Sequence, residues 1–177
     1  MPDSLNISLV LNRDIPTLVT LVNSAYRGES AKKGWTTEAH LLDGIRTSEE
    51  SIKDLAANQQ AVILVAHNDA GQMVGCVYLH HDRKNLFLGM LTVAPDMQGK
   101  GIGKKLLAAA DAYAKTEDCD TIVISVIDSR HELIAWYERH GYKQTGEIKP
   151  FPSDPAFGIP KQPLQFLIME KKLVESI

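Results

Sequence analysis

The stretch "APDMQGKGIGKKLL", Ala94–Leu107, sets Gly99, Gly101 and Gly103 at alternate positions, with Gln98 before them and Lys104 and Lys105 after. Glycine lets the main chain adopt positive φ and lets a ligand approach the backbone closely. The apolar run "LFLGMLTV" (Leu86–Val93) comes before the glycines, and helical periodicity begins at Ile102. The free N–H groups of a first helical turn, with the helix dipole behind them, make an anion site. These residues therefore suit the binding of a phosphate or pyrophosphate. A plain surface turn with glycine caps is the alternative for the glycines taken alone.

Two familiar phosphate loops fail on spacing. The P-loop needs GxxxxGK[ST], but Gln98 stands five residues before Gly103, and Lys104 is followed by Lys105. The dinucleotide fingerprint GxGxxG would need a third glycine at Lys104 if counted from Gly99, or at Leu106 if counted from Gly101.

The elements that must position this loop follow from periodicity. "NISLVLN" (Asn6–Asn12) predicts a first strand. Asp14 caps a helix that has Pro16 in its first turn and runs to about Tyr26. A polar loop follows, and Thr36 or Thr37 predicts the cap of a short helix reaching Leu42. Thr47 and Glu50 have capping-box spacing, which predicts a helix to about Asn58. "AVILVAH" (Ala61–His67), "QMVGCVYLHH" (Gln72–His81) and "LFLGMLTV" are separated by short turns and predict an antiparallel meander. The glycine stretch then opens a helix to about Lys115. The β-branched run Asp120–Asp128 predicts a buried strand, and Arg130–Gly141 a helix with Gly141 at its end. "YKQTGEI" predicts a strand. Lys149–Pro163, with five prolines, predicts a loop, and Leu164–Leu173 a last strand. With the short helix ending at Leu42 left out, the order β, α, α, β, β, β, α, β, α, β, β is a mixed α+β pattern, and a regular βα alternation is excluded.

The 177 residues suit one domain spanning 1–177. A hydrophobic share of 44% with 23% charged is the balance of an ordinary soluble domain. Net charge is −3, from 19 Lys+Arg against 22 Asp+Glu, so a nucleic-acid partner held by bulk electrostatics is not expected. Cys76 and Cys119 form no CxxC, and neither a disulfide framework nor a metal site is expected. The N-terminus lacks the pattern of a signal peptide, and no run approaches the roughly 20 apolar residues of a membrane span. The expectation is a cytoplasmic protein without a membrane partner.

Gln98-x-x-Gly101-x-Gly103, directly after "MLTVAPDM", resembles the acyl-CoA pyrophosphate loop of the GNAT superfamily of N-acetyltransferases. "RHELIAWYERHGY" is similar to that family's second cofactor segment, and the element order is similar over nearly the whole chain. The resemblance implies a central, mostly antiparallel twisted sheet of about seven strands. A central pair, Leu86–Val93 and Thr121–Ile127, would splay apart, with helices on both faces. It implies acetyl-CoA as cosubstrate, no metal, and an amine acceptor that is a small molecule or a peptide. It leaves homodimerisation open.

Carried onto this chain, the resemblance places main-chain groups around Met90, Leu91 and Val93 against the pantetheine arm and the thioester carbonyl. An amide of Met90 or Leu91 would act as a one-donor oxyanion site. It also places the amides of Gln98, Gly99, Lys100, Gly101, Ile102, Gly103 and Lys104 against the pyrophosphate. Tyr137 matches the tyrosine that protonates the leaving thiolate. A thiol of pKa about 8.5 needs only a weak acid, and a core role for Tyr137 is the alternative. Arg130 stands where many relatives have an asparagine that bonds the cofactor arm. It could instead reach the cofactor or an acidic substrate.

An alkylammonium has a pKa of about 10 and must lose a proton before it attacks. Gly89 stands where relatives often carry a glutamate base. His80 is the candidate that replaces it, since imidazole works near neutral pH; a pair of surface histidines, His80 and His81, is the alternative. Tyr26, Arg27, Trp35 and Phe151 are candidates for the acceptor pocket, against the alternative of rigid structural loops. Two further readings stay open: a non-catalytic CoA-binding module, and another acyl donor such as succinyl-CoA.

Overall fold

The computed structural model describes residues 5–26, 42–43, 47–150, 159–160 and 164–173. In chain order the elements are β1 (Asn6–Leu9), α1 (Ile15–Tyr26), β2 (Leu42–Asp43), α2 (Glu49–Ala57), β3 (Ala61–His67), β4 (Met73–Asp82), β5 (Asn85–Val93), α3 (Ile102–Thr116), β6 (Thr121–Ile127), α4 (His131–Arg139), β7 (Lys143–Pro150), β8 (Ile159–Pro160) and β9 (Gln165–Lys172). Seven strands form one sheet in the order β1-β3-β4-β5-β6-β9-β7, and β2 pairs with β8 as a separate two-residue ladder. Every neighbouring pair in the large sheet is antiparallel except β5 with β6. This is the mixed, mostly antiparallel fold expected above.

Alternation along the strands feeds a core on each face of the sheet. Val77 and Leu79 of β4 join Leu86, Leu88, Leu106 and Ile122 in the cluster under α3 and α4. Cys76 and Tyr78 of the same strand belong with Ile15, Leu18, Val22 and Ile52 under α1 and α2. The apolar stripe of α3 is buried at Ile102, Leu106, Leu107, Ala110 and Ala114. Its spacing is that of one helical face.

Several local expectations are corrected. Helix α2 is capped by Ser48, whose Oγ accepts from the Ser51 amide at 3.2 Å. Thr47 is buried instead. Its amide and carbonyl are clasped by the Asn23 side chain at 3.0 Å each, which uses its backbone to tie α1 to the start of α2. Leu42 and Asp43 are extended and paired with Pro160 and Ile159, where the sequence pattern predicts the end of a helix. The first strand stops at Leu9, because Asn12–Asp14 turn as a 3-10 segment into α1. β7 runs on to Pro150, paired with Gln165, into the stretch predicted as loop.

Two irregularities shape the middle of the sheet. β5 and β6 are in register over three residues, Asn85–Phe87 against Thr121–Val123. Beyond that point β6 stays paired with β9, and β5 stays with β4, so the two parallel strands part. On β5 the register jumps from Tyr78↔Gly89 to Cys76↔Thr92, so Met90 and Leu91 together oppose Val77. This is a bulge, which bends a strand and withdraws residues from the ladder.

Candidate active site

The bulge is built from side chains as well as register. Met90 has φ +53, an uncommon conformation for a residue with a side chain. Its carbonyl is held by the Thr92 hydroxyl at 2.9 Å and by the Cys76 thiol at 3.6 Å, both inside the core. Those bonds fix the turned backbone at Met90–Leu91, beside the gap between β5 and β6.

From Val93 the chain passes through a 3-10 turn, Pro95–Met97, into the glycine stretch. Gln98 folds back, its Nε2 donating to the Val93 carbonyl at 3.2 Å. Gly99 and Gly101 have φ +86 and +81, which glycine adopts without strain. A Cβ on either would meet nothing within 4 Å, so the backbone here faces open space. Gly101 is the N-cap of α3 and gives the first-turn amides no capping side chain. Those amides of a 15-residue helix are directed at whatever occupies the cavity.

Gly103 has a different reason to be glycine. A Cβ there would lie 3.2 and 3.4 Å from Cζ2 and Cη2 of Trp136. The indole edge of α4 thus rests on the first turn of α3. Trp136 in turn meets Tyr137 edge-on at 5.1 Å, and Tyr137 meets Tyr142 edge-on at 5.4 Å. Such pairs hold ring orientation beyond what burial alone gives. Tyr137, 6% exposed, belongs both to the core and to the wall of the cavity.

The cavity has a volume of about 650 Å³, within the range of small-molecule sites. Leu91 and Val93 of β5 form one side, Gln98, Gly99 and Gly101–Lys104 another, and α4 closes it with Trp136, Tyr137 and His140. Lys104 and Arg139 bring positive charge, and Glu132 a carboxylate.

Of the sequence candidates, the fold brings Leu91, Val93, Gln98, Gly99, Gly101, Ile102, Gly103, Lys104 and Tyr137 around this one cavity. Met90 sits behind it, its side chain in the α1–α2 core. Lys100 is outside the lining, its ammonium 3.8 Å from Met97 Sδ. Arg130 is 8% exposed at the start of α4 and does not line the cavity. His80 pairs with Phe87 across the β4–β5 ladder, their rings stacked at 6.1 Å. That is four residues before Leu91, about 13 Å along the strand. Tyr26 ends α1; Arg27, Trp35 and Phe151 lie outside the described residues.

Trp136, Arg139 and His140 also line the cavity and were not among the sequence candidates. The signal was available: Leu133, Trp136, Tyr137 and His140 recur at helical spacing, so one face of α4 carries them all. Among the described residues no cluster of three or more His, Cys, Asp or Glu could hold a metal ion, and no helix is long and apolar enough to cross a membrane.

Comparison with known proteins gives matches of the same kind. The family described as "Acetyltransferase (GNAT) family" matches residues 21–142. An acetyltransferase of Agrobacterium fabrum is 30% identical over 90 residues, 51% of this chain and 64% of that protein. A mycothiol acetyltransferase of Propionibacterium freudenreichii is 24% identical over 163 residues, 88% of this chain and 49% of that protein. The chain thus spans about half to two thirds of the length of these curated relatives. Among solved structures, the ribosomal-protein-S18-alanine N-acetyltransferase from Escherichia coli is similar with a TM-score of 0.72 at 17% identity, covering 98% of this chain and 97% of that one. At that identity the likeness is one of fold.

Proposed function

The chain belongs to the GNAT family of acetyltransferases, and from that premise we propose that it transfers an acetyl group from acetyl-CoA to a primary amine by direct attack. The observation that carries this reading is the meeting of three features on one cavity. These are the bulged backbone at Leu91, the uncapped glycine N-terminus of α3, and Tyr137.

The anion site of α3 suits a pyrophosphate, with Lys104 beside it. The apolar floor of Leu91 and Val93 suits an acyl-pantetheine arm lying in the gap between β5 and β6. A main-chain N–H at the bulge would donate to the thioester oxygen as charge develops on it. The amine nitrogen bonds to the thioester carbon, the C–S bond breaks, and the thiolate takes the Tyr137 phenolic proton; the proton shed by the new amide nitrogen passes through water and restores the phenol. Holding amine and thioester together supplies much of the acceleration. No nucleophilic side chain is needed, and Cys76 is committed to the Met90 carbonyl. His80 lies on β4 opposite Phe87, four residues before Leu91 on β5, so it would take the ammonium proton through a chain of waters rather than by contact. A small-molecule or peptide amine in the cytoplasm is the proposed setting.

The test is release of free thiol from acetyl-CoA by the full chain against a panel of amines. Turnover should appear with at least one amine, and Tyr137→Phe should lower kcat about 100-fold while acetyl-CoA affinity changes little. Tight acetyl-CoA binding without thiol release for any amine would sink the enzyme reading and leave a CoA-binding module. Faster turnover of succinyl-CoA would reassign the donor.

A further inference from the structure

Resting on the reading of the cavity as an acyl-CoA site, we propose that His140 contacts a phosphate of that cofactor, and does so only as an imidazolium. Cofactor binding would then take up a proton.

The geometry begins with the end of α4. The His140 amide bonds to the carbonyls of Tyr137 and Glu138. The Trp136 carbonyl, in the same last turn, is met instead by the His140 ring, with Nδ1 at 2.7 Å. A carbonyl oxygen can only accept, so Nδ1 carries the proton in that bond. The ring is further held against the Trp136 indole, centroids 4.4 Å apart and tilted by 41°. Trp136 is itself seated on Gly103 of the anion loop. The imidazole is thus fixed to the same brace that holds the glycine turn.

With Nδ1 committed, Nε2 is the ring nitrogen left for the cavity that His140 lines. In the neutral ring Nε2 presents a lone pair, which repels a phosphate oxygen. Protonated, it donates a charge-assisted hydrogen bond to one. The other charged or titratable groups on this cavity are Lys104 from the first turn of α3, and Glu132, Tyr137 and Arg139 from α4. Imidazole is the side-chain type whose charge ordinarily changes near neutral pH. Binding should therefore weaken as pH rises.

Titration calorimetry of CoA into the full chain tests this, run between pH 6.5 and 8.5 in buffers of different ionisation enthalpy. For the unaltered protein we expect net proton uptake and an affinity that falls about tenfold across the range. His140→Gln should bind more weakly at pH 6.5 and lose both the uptake and the extra slope. His140→Lys should keep its affinity across the range, because its cation does not titrate there. Repeating the series with 3′-dephospho-CoA identifies the phosphate. Loss of His140-dependent uptake assigns the 3′-phosphate, and its persistence assigns the pyrophosphate. Uptake and slope unchanged in His140→Gln would overturn the proposal while leaving the cofactor site intact. Absence of CoA binding by the unaltered protein would overturn the cofactor reading, and this proposal with it.

Discussion

At Gly101 and Gly103, two residues apart, glycine is required for opposite reasons, and substitution should separate them. Gly101 has φ +81 and open space where a Cβ would go. Gly101→Ala should cost about 1–2 kcal/mol from backbone strain alone, read as a lower denaturation midpoint. Gly103 lies inside α3, where alanine would ordinarily gain about 1 kcal/mol over glycine. Its Cβ would press on Trp136 at 3.2 Å, so the indole must yield by a few tenths of an ångström. Gly103→Ala should therefore leave stability nearly unchanged and weaken CoA binding, because Trp136 positions both the anion loop and His140. Calorimetric affinity beside a urea titration distinguishes the two effects. A Gly103→Ala variant that binds CoA normally would show that the brace does not matter for binding.

At the level of elements, the bulge in β5 is the feature that most directly connects fold to chemistry. It aims backbone rather than side chains, so it depends on the few bonds that stabilise an unfavourable turn at Met90. Thr92→Val removes the 2.9 Å bond to the Met90 carbonyl and leaves that buried oxygen with the weaker thiol donor Cys76. The expected loss is about 1–3 kcal/mol of stability. Because the same bond holds the proposed oxyanion amide in place, kcat should fall by more than KM rises. A variant that loses stability but keeps kcat would show that the bulge geometry is held by the strand ladder alone. α4 is the second such element. It contributes to the cavity along its length, which is why aromatic residues that pattern as core also form its wall.

For the whole molecule, the buried tyrosine beneath the site ties stability to pH. Tyr142 is 1% exposed, its hydroxyl has no hydrogen-bond partner among the described residues, and it packs edge-on under Tyr137. Burial, and then the Asp111 carboxylate, push its ionisation well above the ordinary tyrosine value of 10.0. Asp111 is itself bound to Lys171 at 2.7 Å, tying α3 to β9. Above about pH 10 the unfolded chain gives up the phenolic proton while the folded chain keeps it, so stability falls as pH rises from there. Below pH 10 the contribution is constant. Tyr142→Phe should flatten that alkaline decline and cost little at pH 7, since the hydroxyl removed there has no partner among the described residues. Urea titrations from pH 8 to 11 measure both; a variant whose midpoint falls as steeply as that of the unaltered protein would remove Tyr142 as the cause.

The family resemblance implied the splayed central pair. Amino-acid order alone determined most of the element sequence and the glycine turn that opens α3, and both rest on local rules: periodicity, glycine conformational freedom, and the free amides of a helix start. Tyr137 was marked by the family resemblance of "RHELIAWYERHGY". Local rules failed where a distant partner decides. Thr47 looked like a cap until Asn23 took its backbone bonds, and Leu42–Asp43 looked helical until β8 paired with them. Trp136 and His140 share a helical face with Tyr137, but what that face meets was decided by the packing of α4 on α3. That contact depends on the absent side chain of Gly103, and no spacing rule shows what an empty position will receive.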